Sequence, residues 1–289
     1  MKYRQDIELF RILSAFGIVW FHSHLKGADI GYSGLVFFII LSVYLSGDGH
    51  NVIQRLKSLL LPWLSWSLFY GFVNFIIDKP FIDTDNGFIT GLLAGSKIHL
   101  WYLPFMFFIL ILFDLIKKNS TVLKIGYSAV CIALISLLSV FLWRDFTNAL
   151  GAPWAQYSHA LPAVFVGAYF WAFNKLTSIF QFHKFIMLLF LLAAVININI
   201  TGVGISYTIG ILMFFPIIFF PPWLNFNFNI RNISELTLGI YLLHPFIYMV
   251  FFKFNVNLGY FLPLAVFITC SILIWITKNF FPKLSKYII

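Results

Sequence analysis

Three ionisable side chains near the start of the chain have the types and spacing to do chemistry: Glu8, Arg11 and His22. An imidazole accepts or relays a proton, and a guanidinium binds an anion. Arg11 and His22 are eleven positions apart, and eleven steps of about 100° end about 20° beyond three full turns. On a helix over residues 7–24 the two side chains therefore share one face, separated by roughly 16 Å of rise. They mark two depths of one stripe. Glu8 joins that stripe about 40° from His22, one turn before Arg11, where an i,i+3 ion pair would orient the guanidinium. Between Arg11 and His22 the run is apolar apart from Ser14, so the stripe lies in a membrane or against one. An arginine near a bilayer centre costs about 2.5–3.5 kcal/mol, while each Leu, Ile, Val or Phe returns about 0.3–0.6. Residues kept at that cost usually face a bundle interior or a water-filled cavity and mark a site. The blander alternative is a snorkelling arginine and a histidine bonded to a neighbouring helix.

The elements that must position these groups follow from composition. With 61% apolar, 20% aromatic and 10% charged residues and a mean hydropathy of +0.92, the chain reads as an all-α, polytopic integral membrane bundle. Hydropathy and length predict about ten spans, at 7–25, 32–47, 58–77, 100–116, 122–143, 157–174, 184–201, 203–221, 236–253 and 260–281. They form one transmembrane domain over 1–289. The net charge of +9 falls between the apolar runs, which reads as topology and excludes a nucleic-acid partner. With the N-terminus cytoplasmic, thirteen Lys and Arg fall inside, five outside, and Arg11 lies within the first span. That asymmetry predicts ten crossings with both termini in the cytoplasm. The longest outside loop, 78–99, carries Asp78, Asp83 and Asp85 and reads as a solvated connector, or as a segment that covers a site or binds a sugar. Cys131 and Cys270 sit singly in apolar stretches, and no ligand spacing predicts a metal site.

Five ordered segments resemble the membrane acyltransferase-3 family. The first is Glu8-x-x-Arg11-(ten)-His22. The second runs from Gly34 through Phe37-Phe38 to Ser42 and Tyr44, with Leu41 and Val43 departing from the family pattern. The third is the basic stretch Arg55-Leu56-Lys57 ahead of Pro62. The fourth is His99-Leu100-Trp101-Tyr102-Leu103-Pro104. The last is Ser234-Glu235-Leu236-Thr237-Leu238-Gly239-Ile240-Tyr241-Leu242-Leu243-His244. The resemblance implies acetyl transfer from acetyl-coenzyme A to a hydroxyl of a cell-surface polysaccharide (O-antigen, capsule or exopolysaccharide). Its setting would be the bacterial inner membrane, with the lipid bilayer, the coenzyme A thioester and a glycan or lipid-linked glycan as partners and no metal. Self-association is left open.

The residues fit that chemistry. A sugar hydroxyl is a poor nucleophile, and His22 is the candidate general base; direct transfer and a covalent acyl-histidine both fit. Arg11 would stabilise the oxyanion or, nearer the cytoplasm, hold the coenzyme's phosphates, with Glu8 orienting it. Arg55 and Lys57 would meet the same phosphates or simply anchor the span. His99 would contact the acceptor, with Trp101 and Tyr102 beside it, although both aromatics also suit an interfacial belt. Glu235 and His244 complete the acceptor contacts; nine positions apart, they face opposite sides of one helix and form no dyad. Pro245 frees the carbonyl four residues back, which the bundle must satisfy. His50, His159 and His183 read as solvated or packing residues. The competing class is a transporter or lipid-linked glycan flippase using Arg11 and His22 for substrate or protons. Such proteins often show inverted repeats, and the Glu8–Arg11–His22 stripe has no counterpart after residue 145.

Overall fold

The computed structural model describes residues 4–47, 52–85, 87–175, 180–224 and 226–288; Lys2 and His50 lie outside them. All regular structure among the described residues is helical. In chain order the helices are α1 (Gln5–Phe21), α2 (Ser33–Tyr44), α3 (Val52–Arg55), α4 (Leu61–Ile76), α5 (Phe88–Ala94), α6 (Tyr102–Asn119), α7 (Val122–Leu138) and α8 (Val140–Ala149). They continue with α9 (Trp154–Lys175), α10 (Phe180–Ile196), α11 (Gly204–Phe219), α12 (Arg231–Ser234), α13 (Thr237–Lys253), α14 (Leu262–Phe280) and α15 (Pro282–Ile288).

Each of the ten apolar segments falls on a helix. The runs Val52–Ile76, Ile98–Asn119 and Gly259–Phe280 are long and apolar enough to cross a membrane, and α7 with α8 makes a fourth if the pair is one span. The segments at 32–47, 184–201, 203–221 and 236–253 fall on apolar helices of 10–17 residues, which reach at most ~25 Å of a hydrocarbon core roughly 30 Å thick.

Three expectations change. The span expected over 122–143 breaks after Leu138 and bends by 75°. Ser136 and Ser139 donate their hydroxyls to the carbonyls of Ile132 and Ile135 at 2.6 and 2.7 Å, and such back-bonding bends helices. Trp143 Nε1 then bonds the Ser136 carbonyl at 2.9 Å. The first helix stops at Phe21 rather than His24. The Ser23 backbone N–H and hydroxyl both bond the Trp20 carbonyl, at 2.9 and 2.6 Å, which tightens the last turn and leaves His22 as the cap. The connector at 78–99 carries a helix of its own, α5, followed by a 3-10 turn at Ile98–Trp101.

The chain divides into two compact units, residues 1–41 with 179–282 and residues 42–178 with 283–289. In the first, α1 packs on α13 and α14 and on a 3-10 turn at Ala28–Tyr32. Backbone meets backbone there: a Cβ at Gly31 would lie 2.1 Å from the Gly17 carbonyl oxygen, and one at Gly34 would lie 2.3 Å from that of Ser14. Small residues permit such approaches between membrane helices. α1 and α13 run in the same direction, since Glu8 meets Ser234 while His22 and Val19 meet His244 and Tyr248.

In the second unit α7 packs on α9 through small residues, with Gly126 close to Ala172 and with Ala129, Ala133, Ala160 and Ala163 buried. The basic stretch ahead of Pro62 takes up a π-helical turn at Leu56–Leu60. Pro62 brings no N–H, so the local hydrogen-bond ladder is interrupted where α4 begins.

Candidate active site

In the first unit the expected stripe turns toward residues 231–253. Arg11 Nη1 lies 2.9 Å from Glu8 Oε2, with the side chains 32% and 14% exposed, so the guanidinium keeps an open edge. Glu8 Oε2 also accepts the Ser234 hydroxyl. Two donors on one carboxylate oxygen hold Glu8 in place and fix the direction of Arg11.

Farther along α1, the His22 ring lies 4.9 Å from the His244 ring at 42°, and Phe21 stands edge-on to His22. His244 is fully buried. Its Nδ1 lies 2.7 Å from the Tyr241 carbonyl and 3.3 Å from that of Ile240. A carbonyl only accepts, so Nδ1 carries the hydrogen, and the lone pair of the neutral ring is on Nε2. The Tyr241 carbonyl is the one that Pro245 deprives of its i→i−4 donor. The histidine next to the proline thus supplies the missing hydrogen, and the same bond sets the ring's tautomer. Tyr248, one turn on, donates its hydroxyl to the Val19 carbonyl at 2.8 Å and ties α13 to the end of α1. The arrangement offers a carboxylate-anchored cation at one level and an imidazole pair at another.

Glu235 stands outside this pair. It caps α12 instead of lying on one continuous helix with His244, and it binds Lys278 at 2.5 Å and Arg231 at 2.8 Å. Those two cations, Lys278 first, hold its carboxyl below the usual carboxylate range. One of its oxygens is committed to Arg231 on α12 and the other ties that helix to Lys278 on α14.

In the second unit Arg55 is buried. Its Nε and Nη2 both lie 2.6 Å from Asp114 Oδ2, and Lys117 reaches Asp114 Oδ1 at 2.7 Å. Lys117 also donates to the Gly47 carbonyl at 3.2 Å and sits over the Phe113 and Trp171 rings. Two cations on one carboxylate leave the cluster one positive charge in excess. Lys57, two residues from Arg55, is exposed.

His99 is buried edge-on to Tyr70, with ring centroids 5.1 Å apart. Trp101 is not a belt aromatic: it is 4% exposed and packs on Phe105 and Tyr157. Tyr102 is half-buried, 3.5 Å from the Ser42 hydroxyl. His159 and His183 are buried packing residues.

Two participants escaped the sequence reading. Asp114 is the one acidic residue within the segment expected at 100–116, and a carboxylate at membrane depth demands a partner; that signal was available. Ser234 opens the fifth segment, but nothing in its spacing pairs it with Glu8, 226 positions away.

A family model described as an acyltransferase domain, acyltransferase 3, matches residues 4–277. Among curated proteins and solved structures, none matches the chain.

Proposed function

Since the chain belongs to the acyltransferase-3 family and is an integral membrane acyltransferase, we propose that it moves an acetyl group from acetyl-coenzyme A to a hydroxyl of a cell-surface polysaccharide. The observation that carries this reading is the His22–His244 pair at the end of α1, with Glu8 and Ser234 holding Arg11 on the same helix. His22 takes the hydroxyl proton as the oxygen attacks the thioester carbonyl carbon. The carbon–sulfur bond then breaks, and the coenzyme leaves as a thiolate that recovers the proton from His22. His244, its tautomer set by Tyr241, is a positioning residue for the His22 ring. Arg11, its direction set by Glu8, binds donor phosphate.

Lys57 is the second phosphate ligand, and the excess charge of the Arg55–Asp114–Lys117 cluster supports it electrostatically. The burial of Arg55 favours this indirect role over direct contact. Among the acceptor contacts His99 and Tyr102 stay in the proposal with Trp101 as their packing support, while the ion pairs of Glu235 favour a structural part.

The setting is a bacterial inner membrane, crossed ten times with both termini cytoplasmic. The parallel run of α1 and α13 supports that alternation, because the first and ninth crossings must share a direction. The test is purified protein with labelled acetyl-coenzyme A and envelope glycans. Wild type labels the glycan, and His22→Ala loses about 10²–10⁴-fold, the range for a general base. Equal labelling by both removes His22 from the reaction. Substrate flux across vesicles without any acyl donor would favour a transporter.

A further inference from the structure

The second unit contains a cavity of about 260 Å³, lined by Asp83, Thr90, Ser96 and Lys97 among others. Its volume is just below the roughly 300–1,000 Å³ that takes drug-sized ligands, so it suits a single sugar residue.

Its polar groups are only partly used: Asp83 Oδ1 accepts the Asp85 N–H at 3.0 Å and leaves Oδ2 over. Ser96 is 6% exposed and its Oγ has no hydrogen-bond partner. A buried polar atom in that state is uncommon and calls for an explanation. Among the described residues, the Lys97 ammonium makes no hydrogen bond or ion pair; the residue's backbone carbonyl accepts the Leu100 N–H at 3.0 Å, and Asp83 lines the same cavity. Burial and then repulsion from Lys79 push the Lys97 ammonium below its usual range, and a bound anion would relieve both.

The wall is held firmly. Asn74 Nδ2 donates to the Ser96 carbonyl at 2.9 Å, and a Cβ on Gly91 would lie 2.1 Å from the Asp83 carbonyl oxygen. Thr90 Oγ1 accepts from Trp154 Nε1 at 3.4 Å, which leaves the Thr90 hydroxyl hydrogen available. A carboxylate, two hydroxyls and an ammonium around one small cavity suit a sugar, which carries a rim of hydroxyls.

We propose that this cavity binds an acidic sugar, with its carboxylate on Lys97 and Ser96 and its hydroxyls on Asp83 and Thr90. Naming that sugar as part of the acceptor rests on the acyltransferase reading above; the preference for an anion rests on the cavity alone.

The test uses the full chain in phosphatidylcholine nanodiscs and calorimetric titration with glucuronate and with glucose. Glucuronate binds at least tenfold more tightly than glucose, the order that one charge-assisted hydrogen bond supplies. Lys97→Gln removes that preference while leaving thermal unfolding in place. Equal binding of the two sugars by wild type overturns the proposal, and so does an undiminished preference in Lys97→Gln. Replacing the lipid with phosphatidylglycerol distinguishes a headgroup occupant: loss of glucuronate binding in that lipid alone would assign the cavity to lipid and overturn the sugar. Acetyl transfer to an uncharged glycan is read in parallel with wild type. Transfer without a glucuronate preference overturns the cavity assignment and spares the transferase, whereas glucuronate preference without transfer does the reverse.

Discussion

The bond from His244 Nδ1 to the Tyr241 carbonyl, 2.7 Å long and fully buried, predicts a non-additive pair of substitutions. Pro245 cannot donate to Tyr241, and His244 does so in its place. His244→Phe keeps a ring of similar size against His22 but leaves that carbonyl without its donor, which costs about 1–3 kcal/mol in a buried site. Pro245→Ala restores a backbone N–H at the position that reaches Tyr241. In the wild-type background that N–H competes with a bond already made; in the His244→Phe background it fills a vacancy. The double variant should therefore be more stable than the two single effects add up to. Side-chain bonds inside a bilayer average about 0.6 kcal/mol and reach about 1.7, so the coupling should be about 1 kcal/mol. In a chain of this size that is about 2–4 °C in the unfolding midpoint. Thermal unfolding of the four proteins in one nanodisc composition measures it. Additivity within about 0.5 kcal/mol would refute the claim that the proline created the histidine's bond. Acetyl transfer is the second readout: the double variant regains stability but not activity, because no imidazole faces His22.

Removing either half of the Glu8 anchor should separate binding from chemistry. Ser234→Ala raises the KM for acetyl-coenzyme A a few-fold with kcat nearly unchanged, and a drop in kcat with KM constant would assign Ser234 to the reaction instead. Asp114→Asn leaves Arg55 and Lys117 facing each other without a counter-charge and should cost about 3–5 kcal/mol by denaturant titration; a loss below 1 kcal/mol would mean the cluster is open to water. Gly34→Ala drives a methyl against the Ser14 carbonyl and should abolish the folded first unit, read as loss of protection of the α1 amides in hydrogen exchange. For pH, Glu235 has a lowered folded pKa, so its contribution is full above the ordinary carboxylate value of about 4.3 and is lost as pH falls through the lower folded value. Wild type should thus lose a small increment of stability in that acid window that Glu235→Gln lacks, a modest effect because the group is 37% exposed.

What could be read from the chain was whatever follows from local periodicity. Three positions bring Glu8 to Arg11 on any helix, and that ion pair forms without reference to the neighbours; the eleven-position step from Arg11 runs to the cap of the same helix, His22. Pro245 announced an unpaired carbonyl for the same reason, although the identity of the donor did not follow. The failures share a cause of the opposite kind. Helical geometry put Glu235 and His244 on opposite sides, yet the helix does not run continuously between them, and what occupies His244 is His22 on another element. The burial of Trp101 and the pairing of Arg55 with Asp114 likewise depend on which helices become neighbours, and hydropathy carries no record of that when nearly every helix is apolar all round. In a soluble protein the polar face would have betrayed the packing. Here the scarce charged residues are the better guide, since each one held at membrane depth must find a partner. That rule marks Asp114 as needing a cation, although the choice of Arg55 and Lys117 depends on which helices meet. Lys97 lies outside the spans, and there a different observation applies: its ammonium is half-buried at a cavity without an ion-pair partner among the described residues, and the partner we propose for it is a ligand.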